Sequence, residues 1–84
     1  MKKINKIEQI EQLLEEWGWK VWRDWEWDGN SICLYFDCAT MWLWECEGEI
    51  EGDLEWANGE REKVEVKTLD DFIELIGYAS QELR

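Results

Sequence analysis

Residues 44–56 read WECEGEIEGDLEW. Counted from Trp42, the even positions hold Trp42, Trp44, Cys46, Gly48, Ile50, Gly52, Leu54 and Trp56. The odd positions from 45 hold Glu45, Glu47, Glu49, Glu51, Asp53 and Glu55. A strand sends successive side chains to opposite faces, so this period of two predicts a small or apolar face backed by a row of acids. The stretch is too long for one ordinary strand, and a bend or hairpin is expected near Gly48 to Asp53, the second piece continuing to Trp56. On that reading Cys46 points into the core, Met41 and Leu43 lie outside, and Glu45 and Glu47 point to solvent.

Working outward toward the C-terminus, Ala57-Asn58-Gly59 predicts a three-residue turn with Gly59 left-handed, leading into EREKVEVK. That register sets Val64 and Val66 beside Ile50, Leu54 and Trp56. It also sets Arg61, Lys63 and Lys67 on the acidic face, with Arg61 across from Glu55 and Lys63 across from Asp53. Thr68 and Asp71 resemble a capping box opening a helix whose stripe is Leu69, Phe72, Ile73, Ile76, Ala79 and Leu83.

Toward the N-terminus, WKVWRDWEWDGNSICLYFD (19–37) carries an Asp28-Gly29 hairpin signal between alternating runs. A turn at Asp28-Gly29 pairs Trp25 with Ile32, and a turn at Gly29-Asn30 pairs Trp27 with Ile32. Either register puts Trp19, Val21, Trp25 and Trp27 on one face with Ile32, Leu34 and Phe36. The opposite face then carries Trp22, Asp24, Glu26, Cys33, Tyr35 and Asp37. Before this hairpin, Ile4, Ile7, Ile10, Leu14 and Trp17 draw one helical stripe ahead of Gly18, which predicts a helix from about Asn5 to Trp17. The order is an N-terminal helix, a four- or five-stranded antiparallel sheet and a C-terminal helix. The expected class is a single α+β domain over residues 1–84, its helices packed on one sheet face.

The whole chain has 84 residues, 21 acidic and 9 basic, and a formal charge of −12. Such a surface repels nucleic-acid phosphates and anionic lipid, so the expected partner is a basic protein, without direct nucleic-acid or membrane binding. The start, MKKINKIEQIEQ, is basic but no apolar run follows it, which reads as neither signal peptide nor anchor. Three cysteines without a CxxC pair fit a reducing cytoplasm.

Several chemistries are disfavoured by the residues themselves. Asp24, Glu26 and Asp28 before Gly29 have the spacing of a calcium loop, but Tyr35 stands where a bidentate Glu is required and the flanks alternate as strands. Zinc would need Cys33, Cys38 and Cys46 to converge with a fourth ligand, and the chain has no histidine. The same absence removes the usual neutral-pH base, and no phosphate loop or nucleophile elbow occurs, so neither catalysis nor a cofactor is expected. A sugar or methyl-ammonium site would need several exposed tryptophans, and most are assigned to the core.

A small, acidic, cytoplasmic α+β chain with the row Glu45, Glu47, Glu49, Glu51, Asp53 and Glu55 resembles the phage-encoded inhibitors of bacterial defence, above all anti-CRISPR and anti-restriction proteins. The resemblance covers size, charge and the acidic row, without a specific motif. It implies an inhibitor in the bacterial cytoplasm that imitates the charge of DNA and occupies the basic groove of a CRISPR effector or other nuclease complex. The alternative is an immunity protein or small chaperone that binds a basic toxin or client without mimicking DNA. For either, the expected contact surface is Glu45, Glu47 and Glu49, with Trp22, Tyr35, Asp24, Glu26 and Asp37 beside them. The first three are chosen because Glu51, Asp53 and Glu55 have Arg61, Lys63 and Lys67 as neighbours.

Overall fold

The computed structural model describes residues 2–19, 22–24 and 31–80, with 22–24 described in the backbone only. The elements are α1 (Ile7–Glu16), β1 (Trp22–Asp24), β2 (Ser31–Tyr35), β3 (Ala39–Cys46), β4 (Glu49–Trp56), β5 (Arg61–Val66) and α2 (Leu69–Ala79). The strands form one antiparallel meander in the order β1-β2-β3-β4-β5. The fold is α+β, a helix at each end of a single sheet.

Both helices cover the same sheet face. Ile7, Ile10 and Leu14 of α1 and Phe72 and Ala79 of α2 join one buried cluster. The sheet contributes Ile32 and Leu34 from β2, Met41 and Leu43 from β3, Ile50 and Leu54 from β4, and Val66 from β5. Trp17, at the C-cap of α1, stacks on Phe72 with ring centroids 5.9 Å apart and so ties the two helices together. Gly18 follows with φ of 77°, the left-handed turn expected there. At α2, the Thr68 hydroxyl accepts from the Asp71 amide and the Asp71 carboxylate accepts from the Thr68 amide, both at 3.2 Å, which completes the capping box. Ile73, counted in the α2 stripe, is instead exposed, and Leu83 lies outside the described residues. No helix among the described residues is long and apolar enough to cross a membrane.

The acidic run divides at a two-residue hairpin. Cys46 pairs with Glu49, and between them Glu47 and Gly48 both have positive φ, 51° and 77°, as a type I′ turn requires. Across such a turn an odd position pairs with an even one: Glu45 with Ile50, Trp44 with Glu51, Leu43 with Gly52 and Met41 with Leu54. The faces expected for β3 are therefore reversed. Met41 and Leu43 are fully buried under the helices, while Trp42 and Trp44 lie on the other face with Glu51 and Asp53. Cys46 is exposed, not buried. Gly52 serves this hairpin through its lack of a side chain: a Cβ there would collide with the Trp42 carbonyl oxygen and sit 2.7 Å from Leu43 Cδ2.

The second hairpin has the expected form. Trp56 N donates to the Glu60 carbonyl at 2.8 Å, Gly59 has φ of 92°, and the register pairs Asp53 with Lys63 and Glu55 with Arg61. At the other edge, β1 pairs Trp22 with Cys33, Arg23 with Ile32 and Asp24 with Ser31. This register is two residues from the nearer of the two expected and keeps their parity. The Asp28-Gly29 turn and Glu26 lie outside the described residues. The N-terminal segment bridges antiparallel to the β5–α2 junction through Lys3 and Thr68.

Candidate functional site

The sheet face turned away from the helices is built in cross-strand rows from β2 to β5. One row is Ser31, Trp44, Glu51 and Glu65; the next is Cys33, Trp42, Asp53 and Lys63; the third is Tyr35, Thr40, Glu55 and Arg61. Aromatic residues thus occupy the middle of the face and charged residues its β4–β5 side. Trp42 and Trp44 are half-buried, Ser31 and Cys33 are buried beside them, and Tyr35 is 67% exposed. A hydrogen bond with the Cys33 side chain raises the Tyr35 phenol above its ordinary pKa.

Charge on this face is unevenly balanced. Arg61 donates to Glu55 Oε2 from Nη2 at 2.8 Å and from Nε at 3.2 Å, and its guanidinium carbon lies 6.0 Å from the centre of the Trp42 ring. The carboxylate raises the guanidinium pKa further. Asp53 stands opposite Lys63 as expected, yet Arg61–Glu55 is the one ion pair among the described residues. Glu51 stands directly opposite Glu65, a like-charge pair that a sheet ordinarily avoids. Trp44, Glu51, Asp53, Lys63 and Glu65 line a depression of about 360 Å³ on this face.

The residues expected at the contact surface are dispersed. Glu45 is half-buried on the helix side, where its Oε1 accepts from the Ile7 N–H at 3.1 Å. The expectation that it points to solvent is corrected by the parity change at the turn: its carboxylate caps the first turn of α1. Glu47 is exposed at the turn itself, and Glu49 is exposed at the start of β4, so the three form no row. Tyr35 belongs to the open face and Asp37 is exposed in the β2–β3 loop. Trp22 and Asp24 are placed by register alone, and Glu26 lies outside the described residues.

Trp42 and Trp44 were expected in the core, and the signal that moves them here is Glu47-Gly48 read as a tight turn, which reverses the β3 faces. Glu51 was set aside as having a cation for a neighbour, whereas the expected register of Asp53 with Lys63 places Glu65 opposite it. Cys33, Cys38 and Cys46 form no disulfide, and among the described residues no three potential ligand side chains are grouped to hold a metal ion. Comparison with protein-family models, curated proteins and solved structures gave no match.

Proposed function

We propose that the protein binds a basic surface of a partner protein through its open sheet face, an arginine or lysine of the partner docking against Trp44 between Glu51 and Glu65. The observation that carries this reading is the direct pairing of Glu51 with Glu65 beside a half-exposed tryptophan. Two carboxylates about 5 Å apart repel by roughly 0.8 kcal/mol in water before screening, whereas a cation about 4 Å from each gains roughly 1 kcal/mol per contact there and more at a partly desolvated interface. A guanidinium also stacks on an indole face. Folding alone leaves the pair unfavourable; a cationic partner reverses its sign.

The inhibitor reading follows from what basic surfaces do. Arginines arranged for phosphate accept carboxylates with the same geometry, so occupation of a nuclease's nucleic-acid channel, as in anti-CRISPR-type proteins, is the principal form of the proposal. The spacing of the acids favours keeping the second form, an immunity protein or chaperone for a basic client. Alternate residues of β4 place charges about 6.7 Å apart, against one phosphate per 3.4 Å of axis on a DNA strand. The row supplies roughly half the linear charge of one strand.

The test is capture from host lysate on the immobilised protein and on its Glu51→Lys variant. Retention of a nucleic-acid-binding protein by the parent, its loss from the variant and its release by duplex DNA support the inhibitor. Equal retention by both proteins would overturn the assignment of this face, and retention insensitive to DNA would point to the second form.

A further inference from the structure

β5 is an edge strand. β4 pairs with one side of it, and among the described residues no strand pairs with its other side along Arg61–Val66. The main-chain orientation on that side can be read from both ends. Beyond the C-terminal end, Ile4 N donates to the Lys67 carbonyl and Leu69 N to the Lys2 carbonyl, each at 2.9 Å. Before the N-terminal end, Trp56 N donates to the Glu60 carbonyl at 2.8 Å. Bonding direction alternates along an antiparallel ladder. Both ends therefore place the amides and carbonyls of Arg61, Lys63 and Glu65 outward.

The segment Lys2–Ile4 is an example of what this edge accepts: an extended antiparallel chain, here bearing two lysines. It turns away at Asn5 to enter α1 and does not continue along β5. Beside the edge, β5 and α2 enclose a groove of about 490 Å³. Half-buried Val64 and Leu75 give it an apolar floor, Tyr78 lies along it, and exposed Glu65 and Glu74 form its rim. Lys67 and Asp71 also line it, with Asp71 already accepting from the Lys67 and Thr68 amides. Charged residues on an edge strand commonly discourage pairing, and Arg61 and Lys63 suit that role. Protection, however, needs no apolar-floored groove alongside, and the chain uses no proline to interrupt the edge.

The geometry points to a second binding site, along the β5 edge, which adjoins the open face and shares the Glu65 carboxylate with it. The β5–α2 groove takes an extended, lysine- or arginine-bearing segment of a partner protein as an antiparallel strand added to β5. Main-chain bonds to Arg61, Lys63 and Glu65 hold the segment, its apolar side chains rest on Val64 and Leu75, and its cations meet Glu65 and Glu74. A second copy of this chain is a poorer occupant, because each copy brings a formal charge of −12.

The test is a titration of the isotope-labelled full chain with a capped seven-residue peptide of alternating lysine and valine, followed by amide spectra and hydrogen exchange. Shifts and slowed exchange are expected at Arg61, Lys63 and Glu65, with the Trp42 and Trp44 indoles unchanged. Lys63→Pro deletes one outward N–H, which an edge strand tolerates, and also makes the protein more acidic. It is expected to weaken binding at least tenfold despite the added attraction. The same peptide with its edge-facing amides N-methylated keeps its charge and is expected to weaken comparably on the parent, which decides the matter if Lys63→Pro does not fold. Equal affinity for plain and methylated peptides, shifts confined to the open face, or a dimer through β5 in sedimentation without peptide would each overturn the site.

Discussion

Glu45 holds the first turn of α1 from outside the helix. Lys6 at the N-cap offers no acceptor, so the Ile7 N–H finds the Glu45 carboxylate of β3. Glu45→Lys removes that acceptor and brings a cation to the positive end of the helix dipole. It is expected to lower stability by about 1–2 kcal/mol in urea unfolding. Glu45→Gln retains an oxygen and should lose less than half of that; a Lys variant as stable as the parent would contradict the cap. Glu62 forms a second such contact, accepting from the Tyr78 hydroxyl at 2.7 Å and the Trp56 indole at 2.6 Å. The Tyr78 and then the Trp56 bond hold the Glu62 carboxyl below the ordinary carboxylate value, and the bond to the Glu62 carboxylate raises the Tyr78 phenol above its ordinary value. A depressed carboxyl stabilises the fold above its unfolded pKa and loses that contribution as pH falls through the folded value. A raised phenol contributes below its unfolded pKa and loses its contribution as pH rises through the folded one. Carboxyl titration by carbon NMR is expected to find Glu62 below its ordinary midpoint and to move it upward in Tyr78→Phe; no movement would remove the bond from the account.

At the scale of elements, the β3–β4 hairpin decides which residues share a face. Glu47 takes a left-handed conformation that L-residues other than Asn and Asp resist, so Glu47→Asn is expected to raise stability by roughly 0.5–1 kcal/mol. Gly52→Ala is expected to cost about 1–3 kcal/mol, because the new methyl meets the Trp42 carbonyl, which backbone pairing holds in place. Chemical denaturation measures both, and a neutral Gly52→Ala would mean that the strands separate easily there. The same hairpin sets the limit of what could be read from residue order. The α1 stripe from Ile4 to Leu14, the Thr68–Asp71 cap and the Gly59 turn are local patterns formed where they were expected, whereas Trp17 and Ile73, counted in the stripes, are exposed. The β3 faces were not local: MWLW at 41–44 is apolar at every position, so either parity buries two large side chains. The choice fell to a Glu-Gly turn, a weaker signal than Asn-Gly, placed inside an alternation that reads on without interruption. Glu45, one of the three acids expected at the contact surface, thereby became a structural residue, while Glu51 stands opposite Glu65 through the β4–β5 register that the Gly59 turn sets.

For the whole molecule, the formal charge of −12 opposes compactness and the open face concentrates part of that opposition. Added salt should therefore raise the melting temperature. Glu51→Lys should raise it as well, since it turns a like-charge cross-strand pair into an opposite one worth about 0.2–1 kcal/mol. On the proposed function the same carboxylate that lowers stability supports binding, so the two properties are expected to move in opposite directions in this one variant. The direct measurement is the dissociation constant of the captured basic partner for the parent and for Glu51→Lys, together with the melting temperatures of both free proteins. The expected result is a more stable variant that binds at least tenfold more weakly; a more stable variant with undiminished affinity would contradict the claim that the open face is where the partner binds.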